Sequence, residues 1–335
     1  MKKFTKLALV ASVAISANAM AMQAMDDATL GVTTGQSGIS IGLGLSKIEI
    51  EKLYIHDNDG LTAAGTAGTA GFGGTSTAGA ISIKANGTGA TATNGIVISA
   101  NTDSLLPSHN LADLTIDSDA GAGTGNTAFI NIAAKVSGLN IAIGEIGVTA
   151  SNAVPGVGAT SIRRGGNDAN YNAVLSGLTL KTGVMDANIQ VGASPQGAMI
   201  MLDTSMVGGL EITNLGILDN STKLGDGSGD SAANRAAGEI HIDSIKVATA
   251  NSTDLAVDAK VSVYGKTDTS NGYLQILAGT KNTTGTDIYV SGVKLGSSAA
   301  ASIGDIEVQG LKTYYNPTGA FNANMIGTAI TVSGH

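Results

Sequence analysis

LGLSKIEIEKLYI, residues 43–55, holds three apolar pairs: Leu43 with Leu45, Ile48 with Ile50, and Leu53 with Ile55. Within each pair the spacing is that of a pleated strand, and two small or charged residues separate one pair from the next. A straight strand would throw successive pairs onto opposite faces. A bend or bulge at each step keeps all six side chains on one core, so the stretch predicts strand, step, strand. The grouping returns at Ile141, Ile143, Ile146 and Val148; at Leu210, Ile212, Leu215 and Ile217; at Ile240, Ile242, Ile245 and Val247; and at Ile288, Val290, Val293 and Leu295.

Composition agrees with that reading. Charged residues are 13% of the chain, against about 25% in ordinary soluble domains. Gly accounts for 47 of the 335 residues, aromatic residues for 3%, and Trp is absent, so few bulky side chains are available for a thick core. The 43% hydrophobic content leans on Ala. An interior built from thin rows of Ile, Val and Leu suits sheets better than helix bundles, which predicts an all-β protein.

The N-terminus, MKKFTKLALVASVAISANAMAM, carries Lys2, Lys3 and Lys6 ahead of an apolar run and Ala-x-Ala sites at Ala17, Ala19 and Ala21. This is the pattern of a cleavable secretory signal over residues 1–21; Ser12, Ser16 and Asn18 interrupt the run too early for a membrane span. Removing the three lysines takes the formal charge from -8 to -11, which argues against nucleic acid and against anionic lipid as partners. There is no cysteine, hence no disulfide, thiolate metal site or lipid-modified N-terminal cysteine. No later run reaches spanning length, and seven Tyr and four Phe are too few for the aromatic girdles of an outer-membrane barrel.

Residues 22–38 read as a short helix and turn, with Asp26 as cap, Leu30 near the end and Gly31 behind it. The run Met25-Asp26-Asp27-Ala28-x-Leu30-x-x-x-Thr34-Gly35-Gln36-x-Gly38-Ile39-x-Ile41, directly behind a signal peptide, resembles the start of the FilA-type pilus assembly proteins. That resemblance implies an exported bacterial β-rich protein of a pilus system.

A Gly-rich β domain is expected over 39–335, with low-complexity Ala, Gly and Thr at 58–79 and a candidate division into two lobes near 151–170. Strands are expected at 80–84, 96–100, 114–116, 129–148, 173–180, 188–191, 198–202, 210–218, 239–248, 255–264, 273–277, 287–295 and 303–314, with the tail closing the last sheet. Two packings fit: an elongated β-solenoid-like or stacked-sheet form, suggested by the corners between pairs, and a β-sandwich, suggested by the irregular loops.

The residues give no reaction centre. There is no G-x-S-x-G elbow; GKT at 265–267 has Lys260 where a phosphate loop needs Gly, and GTGATA at 87–92 precedes no helical pattern. Of His56, His109, His241 and His335, His241 alternates with Ile240 and Ile242 and reads as the polar face of a strand. Carboxylates at Asp57 and Asp59, at Asp117 and Asp119, and at Asp226 and Asp230 read as turn residues, with calcium binding at Asp57 and Asp59 left open. Tyr314 and Tyr315 are the one adjacent aromatic pair, thin provision for stacking sugar rings.

The expectation is therefore an exported non-enzymatic structural, adhesive or assembly component of a bacterial pilus or surface fibre. It has no catalytic, cofactor or metal residues assigned, and its partners are other pilus or surface-fibre proteins met by strand addition. Its place is the periplasm, cell surface or extracellular fibre. A secreted carbohydrate-active or calcium-stabilised β-solenoid is the alternative, and an aggregation-competent matrix protein a third. The end TAITVSGH lacks the penultimate Tyr common in chaperone-usher subunits, which leaves accessory, tip or assembly roles open.

Overall fold

The computed structural model describes residues 38–62, 65–123, 125–268, 271–317 and 325–334. The expected signal sequence, the helix at 26–30 and His335 lie outside the described residues.

β-branched and aliphatic residues at alternate positions make the strands, and the Gly-rich links between them let the chain turn. The first pass runs through β1 (Gly38–Leu43), β2 (Lys47–Ile50) and β3 (Leu53–Asp57). The second returns through β4 (Gly79–Lys84), β5 (Ile96–Ala100) and β6 (Ala112–Asp119), and the third leaves again through β7 (Phe129–Val136), β8 (Leu139–Ile143) and β9 (Glu145–Ser151). Then come β10 (Gly166–Lys181) with β11 (Met185–Gly192), β12 (Ile200–Met206) with β13 (Leu210–Asp219), and β14 (Gly238–Thr249) with β15 (Leu255–Tyr264). The seventh pass is β16 (Tyr273–Ala278) and β17 (Thr286–Leu295). The eighth starts at β18 (Ser302–Leu311), forms the small pair β19 (Tyr314–Tyr315) and β20 (Met325–Ile326), and ends at β21 (Thr328–Val332).

Each pass crosses between two sheets. The first sheet runs β1, β6, β7, β11, β12, β15, β16, β21, and the second β2, β5, β8, β10, β13, β14, β17, β18. The strands β3, β4 and β9 extend the second sheet outward along the N-terminal half of β10. Strand order follows chain order in both sheets, and the ladders among the described residues are antiparallel. The all-β expectation therefore stands as two large antiparallel sheets, built as a meander of bent passes, and the small β19–β20 pair. The solenoid-like expectation does not describe these ladders: a coil advances in one direction, whereas here the chain reverses after β3, β6, β9, β11, β13, β15 and β17.

Two kinds of corner shape a pass. One is the seam where it changes sheets, as short as residues 137–138 between β7 and β8. Leu106, Leu111, Ala112 and Met206 are buried there, and Ser137 is 0% exposed. The Ser137 hydroxyl donates to the Asn110 carbonyl at 2.7 Å and accepts the Leu106 N–H at 3.0 Å. The Asn101 side chain donates to the Thr182 carbonyl at 2.9 Å, and the Thr182 hydroxyl accepts the Leu139 N–H at 3.0 Å. Gly138 is required at this crossing, because a Cβ there would lie 2.6 Å from the Thr182 carbonyl oxygen.

The second corner is the step between apolar pairs. It falls at Gly144 between β8 and β9, at the register shift around Gly177 in β10, and at Asn214 (φ 57°) and Gly292 (φ 68°) in β13 and β17. The opening stretch itself is divided otherwise than expected. Leu43 belongs to the first sheet, Leu45 to the seam, and Ile48, Ile50, Leu53 and Ile55 to the second sheet, so the six do not share one core. Their spacing marks a sheet change first and a step second.

Candidate assembly interface

Cross-strand register turns the apolar pairs into continuous rows. In the first sheet Ile39, Ile116, Ile132, Ile189, Ile200, Val261, Ile276 and Ile330 stand opposite one another in succession, one from every strand. In the second sheet Ile48, Ile98, Ile141, Leu180, Ile212, Ile245, Val290 and Ile306 do the same. Directly opposed β-branched pairs contribute about 0.2–1 kcal/mol each relative to Ala pairs, so these rows fix register as well as adding stability.

The inner six members of each row are half-buried, and the terminal ones are exposed: Ile39 61%, Ile330 47%, Ile48 36%, Ile306 53%. Among the described residues, one end of the meander presents β1, β2 and β3 as outermost strands of the two sheets, and the other end β21 and β18. Ile41, Leu43 and Leu45 extend the apolar surface at the first end, and Ile303, Leu311 and Val332 at the second. An edge strand carries backbone donors and acceptors on its free side, the groups by which a further strand adds.

Polar side chains occupy the face opposite the Ile240 and Ile242 side of β14. His241 is 7% exposed, and its Nδ1 and Nε2 lie 3.3 Å from Glu239 Oε1 and Asp243 Oδ1. The Ser176 hydroxyl donates to the same Glu239 oxygen at 3.1 Å, and Lys294 pairs with Asp243 at 2.8 Å. That lysine's hydrogen bond holds the Asp243 carboxyl below its ordinary range. Further along the step Lys84 sits 3.5 Å over the Tyr171 ring and 3.4 Å from Glu145. Burial, and then the Glu145 charge, push the Tyr171 hydroxyl above its usual range. His241 thus does lie across the strand from Ile240 and Ile242, but it is the covered side: Ile240 is 45% exposed. Alternation located the faces, and only the surrounding loops decide which face is covered. The Ser176 hydroxyl bonds to Glu239 rather than to the imidazole, so no nucleophile and base are paired in this cluster.

A cleft of about 830 Å³ lies where residues 162–165 approach β2 and β3. Arg163 pairs with Glu51 at 3.1 Å, and Arg164 donates to Asn58 Oδ1 at 2.7 Å. His56 Nδ1 lies 2.6 Å from the Ser151 hydroxyl and stacks with Tyr54 at 5.8 Å between ring centroids. Burial first and Arg164 second lower the His56 pKa. The loop residues 152–165 join β9 to β10, which pair with each other across it.

Of the carboxylates singled out in the sequence, Asp57, Asp119 and Asp226 serve their own turns, while Asp117, expected in a turn, lies within β6 opposite Asn131. Asp57 Oδ1 accepts the Asp59 and Gly60 N–H groups at 3.4 and 3.2 Å, and Asp119 Oδ1 accepts the Gly121 N–H at 2.6 Å. Asp226 accepts the Ser228 hydroxyl at 2.7 Å and its N–H at 2.9 Å, bonds that lower its pKa to about 2. Among the described residues no group of three or more His, Cys, Asp or Glu is placed to hold a metal ion, and no helix is long and apolar enough to cross a membrane. Tyr314 and Tyr315 form β19, and His109 sits in a turn at φ 57°.

A family model described as a family of unknown function (DUF6160) matches residues 1–122. The match covers the first two passes and ends in the turn after β6. No curated protein matches the chain, and no solved structure does.

The sequence reading named no docking residues. The signal for them was present in the apolar pairs, but only register shows that Ile39, Ile48, Ile306 and Ile330 are the terminal members of their rows. This arrangement offers contact chemistry: backbone hydrogen bonds along an open edge, with an aliphatic row to set register.

Proposed function

We infer that the chain is an exported, non-enzymatic structural component of a bacterial pilus or surface fibre. The observation that carries this reading is that, among the described residues, each sheet ends at both ends of the meander in a strand paired on one side alone, with an exposed isoleucine at each end of both rows. An export-type N-terminus and a FilA-like opening run support the same reading from the sequence. So does the build of long antiparallel ladders, with few fully buried large side chains between them. Its partners are other fibre proteins, reached by strand addition, and its location is the cell surface or the periplasm on the way there.

Location tests it. Surface appendages sheared from producing cells and probed with an antibody to the mature chain should contain the protein alongside the fibre material. Recovery solely as a free periplasmic monomer would overturn the proposal.

A further inference from the structure

We propose that the partner at these edges is a second copy of the same chain, added head to tail so that both sheets continue from one copy into the next. This rests on the reading of the protein as a contact-making component and goes beyond it by naming the occupant and the register.

Four features lead there. Each row crosses eight strands, and neighbours along it are antiparallel. An even count makes β1 and β21 opposite in direction, as are β2 and β18. A copy moved along the row therefore meets its predecessor with the antiparallel pairing used everywhere inside the molecule. In addition, β1 and β2 are linked by residues 44–46 alone, so both leading edges lie at one end of the meander, and equal widths let both sheets join in one step.

The rows also end in matching side chains. Ile330 of one copy opposite Ile39 of the next continues the first row, and Ile306 opposite Ile48 continues the second. Finally, the second-sheet register sets Glu307 opposite Lys47, an opposite-charge pair. It also sets Asp305 opposite Glu49, a like-charge pair; Lys47, 2.7 Å from Glu49, is then shared between Glu49 and Glu307 and offsets part of that repulsion. In the first sheet the register sets Thr331 opposite Gly38 and Ala329 opposite Ser40, with no charge on either side. A two-fold pairing of β1 with β1 would close at a dimer, whereas this heterologous contact propagates. With strands about 4.8 Å apart, the repeat along the fibre is about 38 Å.

The chain has no cysteine, so introduced thiols report alone. Purified mature Ile39→Cys and Ile330→Cys proteins, and separately Ile48→Cys and Ile306→Cys, are mixed in pairs and oxidised. Each mixture should give a covalent dimer, each single variant should stay uncrosslinked, and the Ile39→Cys/Ile330→Cys double variant should give a ladder of multimers. Images of the unmodified assembly should show an axial repeat near 38 Å. Absence of mixed dimers in both pairs, dimers of Ile39→Cys alone, or a disulfide within one double-variant chain would each overturn the proposal. Sheared fibres that contain the protein without the cross-links would overturn it while leaving the surface role standing. Cross-linked multimers of a chain never found on the surface would support it and overturn the role.

Discussion

Asn214 and Gly292 hold left-handed backbone at the step of the second sheet, for different chemical reasons. Asn tolerates that region through its short polar side chain, while Gly292 has no side chain where a Cβ would meet the Asp243 carboxylate. Asn214→Gly should therefore change unfolding free energy by less than about 0.5 kcal/mol, and Asn214→Val should lose about 1–2 kcal/mol in urea titrations. Gly292→Ala should lose more, about 2–3 kcal/mol, because it combines backbone strain with displacement of the carboxylate that pairs with Lys294. The acid side of stability should register Asp226. Its folded pKa, about 2, lies below the ordinary value of 3.8, so its contribution is present above pH 3.8 and disappears as pH falls through about 2. Ser228→Ala should reduce that part of the acid dependence, leaving what the Ser228 N–H and Asn234 supply, measured by thermal melts across the pH window.

At the scale of elements, the seam is where the sheets depend on individual hydrogen bonds. Ser137→Ala strands the Leu106 N–H and the Asn110 carbonyl in a buried site and should cost about 1–3 kcal/mol by chemical denaturation. Much of this level was legible in the sequence. The apolar pairs at 210–217, 240–247 and 288–295 marked β13, β14 and β17, and the two-residue steps in β13 and β17 coincide with the left-handed backbone at Asn214 and Gly292. The seam was not legible, because Ser137-Gly138 looks like any small-residue step: the expected single strand at 129–148 is β7, β8 and β9 in two sheets. Local spacing specifies that the chain bends there, and only long-range pairing decides whether the bend stays within a sheet. The same limit explains His241, whose face was readable from alternation with Ile240 and Ile242 while its burial depended on loops distant in the chain.

At the scale of the molecule, the edges meet an electrostatic opposition. The full sequence carries a formal charge of -8, and -11 without Lys2, Lys3 and Lys6, so copies approaching end to end repel one another. Raising ionic strength from about 0.01 M to about 0.15 M shortens the Debye length from about 30 Å to about 8 Å, and should shift sedimentation profiles toward larger species. Ile330→Lys should block that growth while costing the monomer no more than the about 0.2–1 kcal/mol of its pair with Ile276, because the side chain is 47% exposed on an outermost strand.

The correspondence between chain order and strand order also has a kinetic meaning. Each pass needs as its template only the pass made just before it, so the fold can zip up from the N-terminus while later segments are still unfolded. Nothing synthesised early has to wait for a distant mate. The last strands of the chain, β18 and β21, then become its outermost ones. Under the proposed head-to-tail addition, a new copy pairs its first strands with the strands that the previous copy folds last.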